Sequence, residues 1–228
     1  MTIEFILLCI GSYFTGSIPA AFILTKWFYG IDIRQHGTGK IGASNVYRVA
    51  SKWLAVPVML FDIGKGALMV WIAQLLGMGA AAQATVGVIA IAGHNWPVFL
   101  GFKGGRGIFT SLGVITMLSP WLGLIIFVGP YLFAPIRRVA FGVFLALASL
   151  PFFSWFLYQP LGIEDRLPVT LGFVVLSLMA FFKRLVVPRT ALSKTVPLVE
   201  LFFNRLLFDR DIRDAKAWIE RKSKERKG

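Results

Sequence analysis

Two stretches of the chain place glycines directly beside cations. Residues Arg34–Asn45 read RQHGTGKIGASN, and residues Gly93–Gly107 read GHNWPVFLGFKGGRG. Glycine lets backbone N–H groups approach an anion, a helix N-terminus adds partial positive charge, and Lys or Arg adds a full one. Both stretches precede a helical run, so their chemistry is that of holding phosphate groups. Tight turns and topology-setting charge explain one such loop equally well. Two loops on one face of the molecule favour a phosphate site.

Other chemistries fail on spacing. A nucleotide P-loop needs glycine five residues before Gly39-Lys40 and Ser or Thr after the lysine, where this chain has Arg34 and Ile41. Neither His36 nor His94 has an aspartate five residues on, and no Gly-x-Ser-x-Gly elbow occurs. The single cysteine, Cys9, lies in an apolar run, which leaves no disulfide framework and no metal-ligand cluster. An enzyme built this way has no evident protein nucleophile. It would act on a pre-activated substrate by positioning and charge stabilisation, with no cofactor and no metal.

The elements that must position these loops lie in lipid. The 228 residues are 57% hydrophobic with a mean hydropathy of +0.72, too few charges to cover a soluble globule. Candidate spans run over roughly 3–28, 54–76, 81–100, 108–118, 121–135, 139–158 and 168–183. The fourth is short and ends at Ser119-Pro120, as a broken or re-entrant helix would. The expected fold is therefore all-α and polytopic, with about seven membrane helices. The start, Met1-Thr-Ile-Glu4, lacks the positive region of a signal peptide, so the first run is expected to be a retained span.

The net charge of +13 suggests nucleic acid until its placement is considered. With the N-terminus outside and seven crossings, the inside connections hold Lys26, Arg34, Lys40, Arg48 and Lys52, then Lys103 and Arg106, then Arg137 and Arg138. The tail from Lys183 is also inside. Six crossings would turn the Arg137-Arg138 pair outward, against the positive-inside tendency. No nucleic acid partner is expected. From about Pro197, Leu198, Leu201, Phe202, Leu206, Ile212, Trp218 and Ile219 recur at helical spacing among Arg205, Arg210, Arg213, Lys216 and Arg221. That pattern predicts a basic amphipathic helix on the anionic inner leaflet, followed by a mobile end over residues 221–228.

At these residues the chain resembles the acyl-phosphate:glycerol-3-phosphate acyltransferases of bacterial phospholipid synthesis. The resemblance rests on Gly16-Ser-Ile-Pro19 with Lys26, on Asp32-Ile-Arg34 with the Gly-rich stretch and Arg48, on Asp62-Ile-Gly-Lys-Gly66, and on Gly93-His-Asn95 with Phe102–Gly107. It runs from Gly16 to about Gly113 and more weakly to Leu185. It implies a seven-helix protein of the bacterial cytoplasmic membrane that moves a fatty acyl group from acyl phosphate to the 1-hydroxyl of glycerol 3-phosphate. It implies a membrane domain over residues 1–190 and a cytoplasmic tail over 191–228. Thr38, Asn45, His94 and Arg106 are implied as catalytic residues. Arg34, Gly37, Gly39, Lys40, Ser44, Arg48, Lys103, Gly104, Gly105, Gly107 and Arg184 are implied as phosphate-binding, with Asn95 shaping the pocket. Asp62 and Lys65, three apart on the second span, are expected to pair.

The chain departs from the family's pattern at several points. Lys40 replaces a usual Asn, Arg106 a usual Lys, and Phe109 a small residue. The turn Pro135–Val139 has no hydroxyl, and Leu178 and Phe181 stand where the third motif carries His and Asn. Cations at Lys40, Arg137 and Arg138 would offset these losses. Two other functions stay open: a paralogue using a different phosphorylated acceptor or donor, and a transporter-like or non-catalytic phosphate-ligand protein.

Overall fold

The computed structural model describes residues 3–218, and every regular element among them is helical. The apolar run at the start holds α1 (Ile3–Ser17) and α2 (Ala20–Tyr29). After the first Gly-rich stretch come α3 (Ala43–Val49), α4 (Lys52–Leu75) and α5 (Ala80–Asn95). The second stretch leads into α6 (Ile108–Leu118) and α7 (Pro120–Val128), followed by α8 (Val139–Phe156) and α9 (Arg166–Leu185). The short α10 (Ala191–Lys194) and α11 (Leu198–Phe208) follow, and helical backbone resumes over 215–218. Among the described residues, four stretches are long and apolar enough to cross a bilayer: Ile3–Tyr29, Lys52–Leu75, Val139–Phe156 and Arg166–Leu185.

Several helices stop sooner than expected. Pro19 breaks the first run into α1 and α2, because proline cannot donate into a helical ladder. The carbonyl of Ile18 at this break accepts the ammonium of Lys65 on α4 at 3.1 Å. The span expected over 81–100 ends at Asn95, two residues before Pro97, and continues as a 3-10 turn. The span expected over 121–135 likewise ends at Val128, before Pro130. Ser119 caps α7, and Gly123 lets α7 fold back on α6, since a Cβ there would meet Thr116.

Glycines set the two contacts that carry the site. On α1 and α5, Gly16 lies against the backbone of Ala90 while Gly93 lies against that of Tyr13. On α4 and α6, Gly66 faces Thr110 and Gly113 faces Ile63. Small residues let backbones approach where lipid supplies no hydrophobic drive. Hydroxyls also bridge helices: Ser12 of α1 donates to the Val86 carbonyl of α5 at 2.7 Å and Ser177 of α9 to the Leu147 carbonyl of α8 at 2.7 Å. The outer surface is apolar, and Trp27 and Trp53 stand exposed on either side of the first loop, as interfacial aromatics do.

The tail differs from expectation. The helix expected to run from Pro197 past Trp218 stops at Phe208, where Asp209 turns into left-handed backbone with φ 56°. Leu201, Asn204 and Arg205 are buried as α11 packs on α8 and α9, leaving Leu198, Val199, Phe202 and Phe203 exposed. Ile219, Arg221 and the rest of residues 219–228 lie outside the described residues, as do Met1 and Thr2.

Candidate active site

One side chain organises the first loop. Asn45, fully buried in the first turn of α3, accepts the Thr38 N–H on Oδ1 at 2.9 Å. Its Nδ2 donates among the carbonyls of His36 (3.1 Å), Lys40 (3.0 Å) and Ile33 (3.3 Å). The loop therefore occupies the whole amide, and Asn45 acts by positioning Thr38 and Lys40. Gly37, with φ 54°, leaves room for it: a Cβ there would come 2.5 Å from Asn45 Oδ1. Asn45→Asp keeps the bond to Thr38 but loses the donors. It is expected to cost about 1–3 kcal/mol, read as a lower unfolding midpoint.

Beside this loop opens a cavity of about 530 Å³. Thr38, Lys40, Ser44, Arg48, Arg137 and Arg184 are among its polar lining. Ile108, Phe109, Leu112, Phe127, Val143 and Phe208 are among its apolar walls. Arg184 is almost wholly buried, its guanidinium donating to the carbonyls of Leu206 (2.6 Å) and Ala140 (3.1 Å). Phe109, a departure from the family pattern, forms part of the apolar wall. The two lost polar positions of the third motif lie elsewhere. Leu178 is 61% exposed, and Phe181 packs on Phe144 with ring centroids 5.2 Å apart.

The second loop lines a separate and far smaller cleft, of about 10 Å³. Gly104 and Gly105 pass so close to the end of α5 that Gly105 N–H donates to the His94 carbonyl at 3.1 Å. A Cβ on Gly105 would meet the His94 ring and would come 2.6 Å from the Ile41 carbonyl, so the two loops touch at this glycine. His94 Nδ1 lies 3.4 Å from Asp62 Oδ1, which also takes the Lys65 ammonium at 2.9 Å. The expected Asp62–Lys65 pair is thus present, and His94 joins it. Gly107, in left-handed backbone, starts α6 against the side chain of Asn95. The Asn95 amide is buried without a hydrogen-bond partner.

Arg106 joins the two halves. It donates to the Lys183 carbonyl and pairs through Nη2 with Asp209 Oδ1 at 2.8 Å, while the other oxygen of Asp209 takes Lys40. Burial lowers the Lys40 ammonium to about 8, helped by Arg106 and Arg184 and opposed by Asp209. Burial raises the Asp209 carboxyl, but Lys40, Arg106 and Arg184 outweigh it and hold the group at about 2.

Of the implied residues, Thr38, Lys40, Ser44, Arg48 and Arg184 line the cavity and His94, Gly104 and Gly105 the small cleft; Arg34, Gly37, Gly39, Asn45, Lys103, Arg106 and Gly107 line neither. The Arg34 guanidinium pairs with Asp32 at 2.7 Å and covers the Phe22 ring at 4.8 Å. That hydrogen bond holds the Asp32 carboxyl below its ordinary range. Lys103 is exposed in the turn after Gly101. Asp209, Arg210, Tyr131 and Trp218 also line the cavity, though motif spacing had not pointed to them. A hint was available for Asp209: it is one of 11 acidic residues in a chain with 24 basic ones, and it lies inside the basic tail.

A family model described as glycerol-3-phosphate acyltransferase matches residues 6–188. The chain belongs to that family. It is 44% identical to glycerol-3-phosphate acyltransferase 5 of Dehalococcoides mccartyi, over 98% of this chain and 96% of the relative. It is 48% identical to the glycerol-3-phosphate acyltransferase of Thermoanaerobacter pseudethanolicus, over 53% of this chain and 60% of that one. Among solved structures it is similar to PlsY (YgiH), an integral membrane glycerol 3-phosphate acyltransferase in its glycerol 3-phosphate form. There the TM-score is 0.71 with 30% identity, covering 79% of this chain and 88% of that one. Like that structure, this chain is a helical, multi-pass membrane protein. Both Gly-rich loops and the Asp62–His94 cluster fall inside residues 6–188, whereas Asp209 lies beyond them.

Proposed function

We propose that the protein transfers a fatty acyl group from acyl phosphate to the 1-hydroxyl of glycerol 3-phosphate, giving lysophosphatidate. The observation that carries this reading is one cavity in which loop cations open onto apolar walls. A substrate with a phosphate at one end and an acyl chain at the other suits both surfaces. The balance needs no protein nucleophile. The acceptor oxygen bonds to the acyl carbon, the bond from that carbon to the phosphate oxygen breaks, and the acceptor's proton leaves on hydrogen phosphate. Lys40, Arg48, Arg137 and Arg184 would stabilise the charge gathering on that phosphate. Thr38 and Ser44 would supply polar contacts beside them, and Asn45 would hold the loop. His94, held by Asp62 next to Gly105, would keep the second loop in place against the first.

We place this site at the cytoplasmic face of a bacterial inner membrane, with seven crossings and the N-terminus outside. Support comes from the meeting of three connections. Lys40 of the first loop, Arg137 of the turn before α8 and Asp209 of the tail line one cavity, and Asp209 ties Arg106 of the second loop to it. Connections that share a cavity share a side, and the positive-inside tendency puts that side in the cytoplasm.

Lys40 gives this site a pH signature. Its charge is present below about pH 8 and lost above it. The expected result is an alkaline decline in kcat/KM setting in near pH 8, because that ratio reports the free enzyme. A flat profile from pH 7 to 9 would contradict a binding role for the ammonium. The function itself is tested with purified protein in lipid, supplied with acyl phosphate and glycerol 3-phosphate. Lysophosphatidate is the expected product, and its absence across substrate concentrations would reject the proposal.

A further inference from the structure

The two loop cations meet on a carboxylate that belongs to neither loop. Asp209 follows α11 and stands 169 residues from Lys40 in the chain. One of its oxygens takes the Lys40 ammonium and the other takes Arg106 at 2.8 Å. Its backbone carbonyl accepts Lys40 as well, at 2.9 Å. Asp209 is therefore held by two hydrogen bonds from Lys40, one to the carboxylate and one to the backbone carbonyl, and by an ion pair with Arg106.

The segment around it is tied down on both sides. Arg184 of α9 donates to the Leu206 carbonyl at 2.6 Å. Arg205 pairs with both oxygens of Asp211 at 2.8 and 3.0 Å and donates to the Leu185 carbonyl at 2.8 Å. A carboxylate that yielded its place to an incoming phosphate would need a segment free to swing, and these buried anchors resist that. Two cations with nothing between them would instead repel and disperse. A carboxylate shared between them fixes their separation and still leaves one net positive charge, with Arg48, Arg137 and Arg184 around the same cavity.

We infer that Asp209 is a positioning residue of the acyl-transfer site, holding Lys40 of the first loop and Arg106 of the second as one fixed cation pair for a substrate phosphate. This role rests on the reaction proposed above. It makes the tail a working part of the site rather than an appendage to it. It also accounts for Lys40, where the chain leaves the family's pattern: the extra cation comes with its own counter-charge, supplied from the tail.

The test uses the full chain in lipid with acyl phosphate and glycerol 3-phosphate. Asp209→Asn keeps the size of the side chain and tolerates left-handed backbone. It is expected to raise KM for at least one of the two substrates about fivefold or more, with kcat changed less than about threefold. The alkaline limb of kcat/KM should also move to lower pH. Among the charged groups facing Lys40, only Asp209 raises its pKa, while Arg106 and Arg184 lower it. Asp209→Glu, which restores the charge, should recover most of the loss. Lys40→Asn leaves α11 untouched and gives a second reading: KM rises in the same way, and adding Asp209→Asn costs little more because the pair acts as a unit.

Unchanged KM values and an unmoved limb would overturn the role. A KM that falls in Asp209→Asn would overturn it too, showing a carboxylate that competes with the substrate anion. Should Asp209→Asn not fold, an unchanged KM in Lys40→Asn overturns the role equally. Wild type without turnover removes the reaction and this role together; active wild type with an unmoved variant removes the role alone.

Discussion

Gly105→Ala is expected to lower kcat/KM by about 100-fold while leaving the helical bundle assembled. A methyl group at this position meets the His94 ring on one side and the Ile41 carbonyl on the other. His94 belongs to the buried Asp62–Lys65 cluster, and Ile41 follows Lys40 in the first loop. Whichever neighbour moves, one half of the site shifts against the other. Misplacement on the scale of an ångström suffices for a loss of this size. Gly11→Ala provides the control: a Cβ there meets nothing within 4 Å and the residue is mid-helix, so activity should hold and stability should change by no more than about 1 kcal/mol. Steady-state kinetics and an unfolding midpoint on both variants check the pair of outcomes. Gly105→Ala retaining near wild-type kcat/KM would show that the contact between loops does not position the chemistry.

Asp62→Leu is expected to destabilise the protein by about 3–5 kcal/mol, because it strands a buried ammonium. The side chains of Asp62 and Lys65 are only 4% and 2% exposed, and without the carboxylate Lys65 keeps one hydrogen bond, to the Ile18 carbonyl. The double variant Asp62→Leu with Lys65→Met should recover most of that stability, since a buried ion pair replaced by apolar side chains of similar size is often neutral. Activity should not return with it. His94 would still lack the carboxylate at 3.4 Å that orients its ring. Folded but inactive double variants would separate the orienting role of Asp62 from its part in assembly. A double variant with full activity would reduce the cluster to packing.

Much of this architecture was legible because it is written in short-range chemistry. The glycines and cations marked the two loops that the fold brings into contact at Gly105, and Asp62 and Lys65 announced a pair by lying three apart in an apolar helix. The end of the fourth run at Ser119-Pro120 was legible too, whereas the break at Pro19 inside the run expected over 3–28 was not, and other helices end earlier than hydropathy alone suggested. Asn45 was legible as a site residue, but its role was not. Only the folded loop reveals that Thr38, His36, Lys40 and Ile33 all use its amide.

Long-range pairings were hidden for a physical reason. Asp209 reaches Lys40 across 169 residues, and Arg184 reaches Leu206 only after α11 folds back onto α9. No periodicity encodes such a contact. The third motif misled in the opposite direction. Leu178 and Phe181 suggested a missing ligand, yet one faces outward and the other packs on Phe144, while Arg184 from the same helix lines the cavity. Arg34 was over-read in the same way. Its charge is taken by Asp32 two residues back, a pairing the sequence did offer.

The most direct test of the account is a single turnover with acyl phosphate limiting, quenched in time and read for both the lipid product and the mass of the protein. Acyl transfer by positioning predicts lysophosphatidate only when glycerol 3-phosphate is present, release of inorganic phosphate in equal amount, and no acyl group on the protein at any time. An acylated protein forming before the acceptor is added, or phosphate released without lysophosphatidate when both substrates are present, would contradict it.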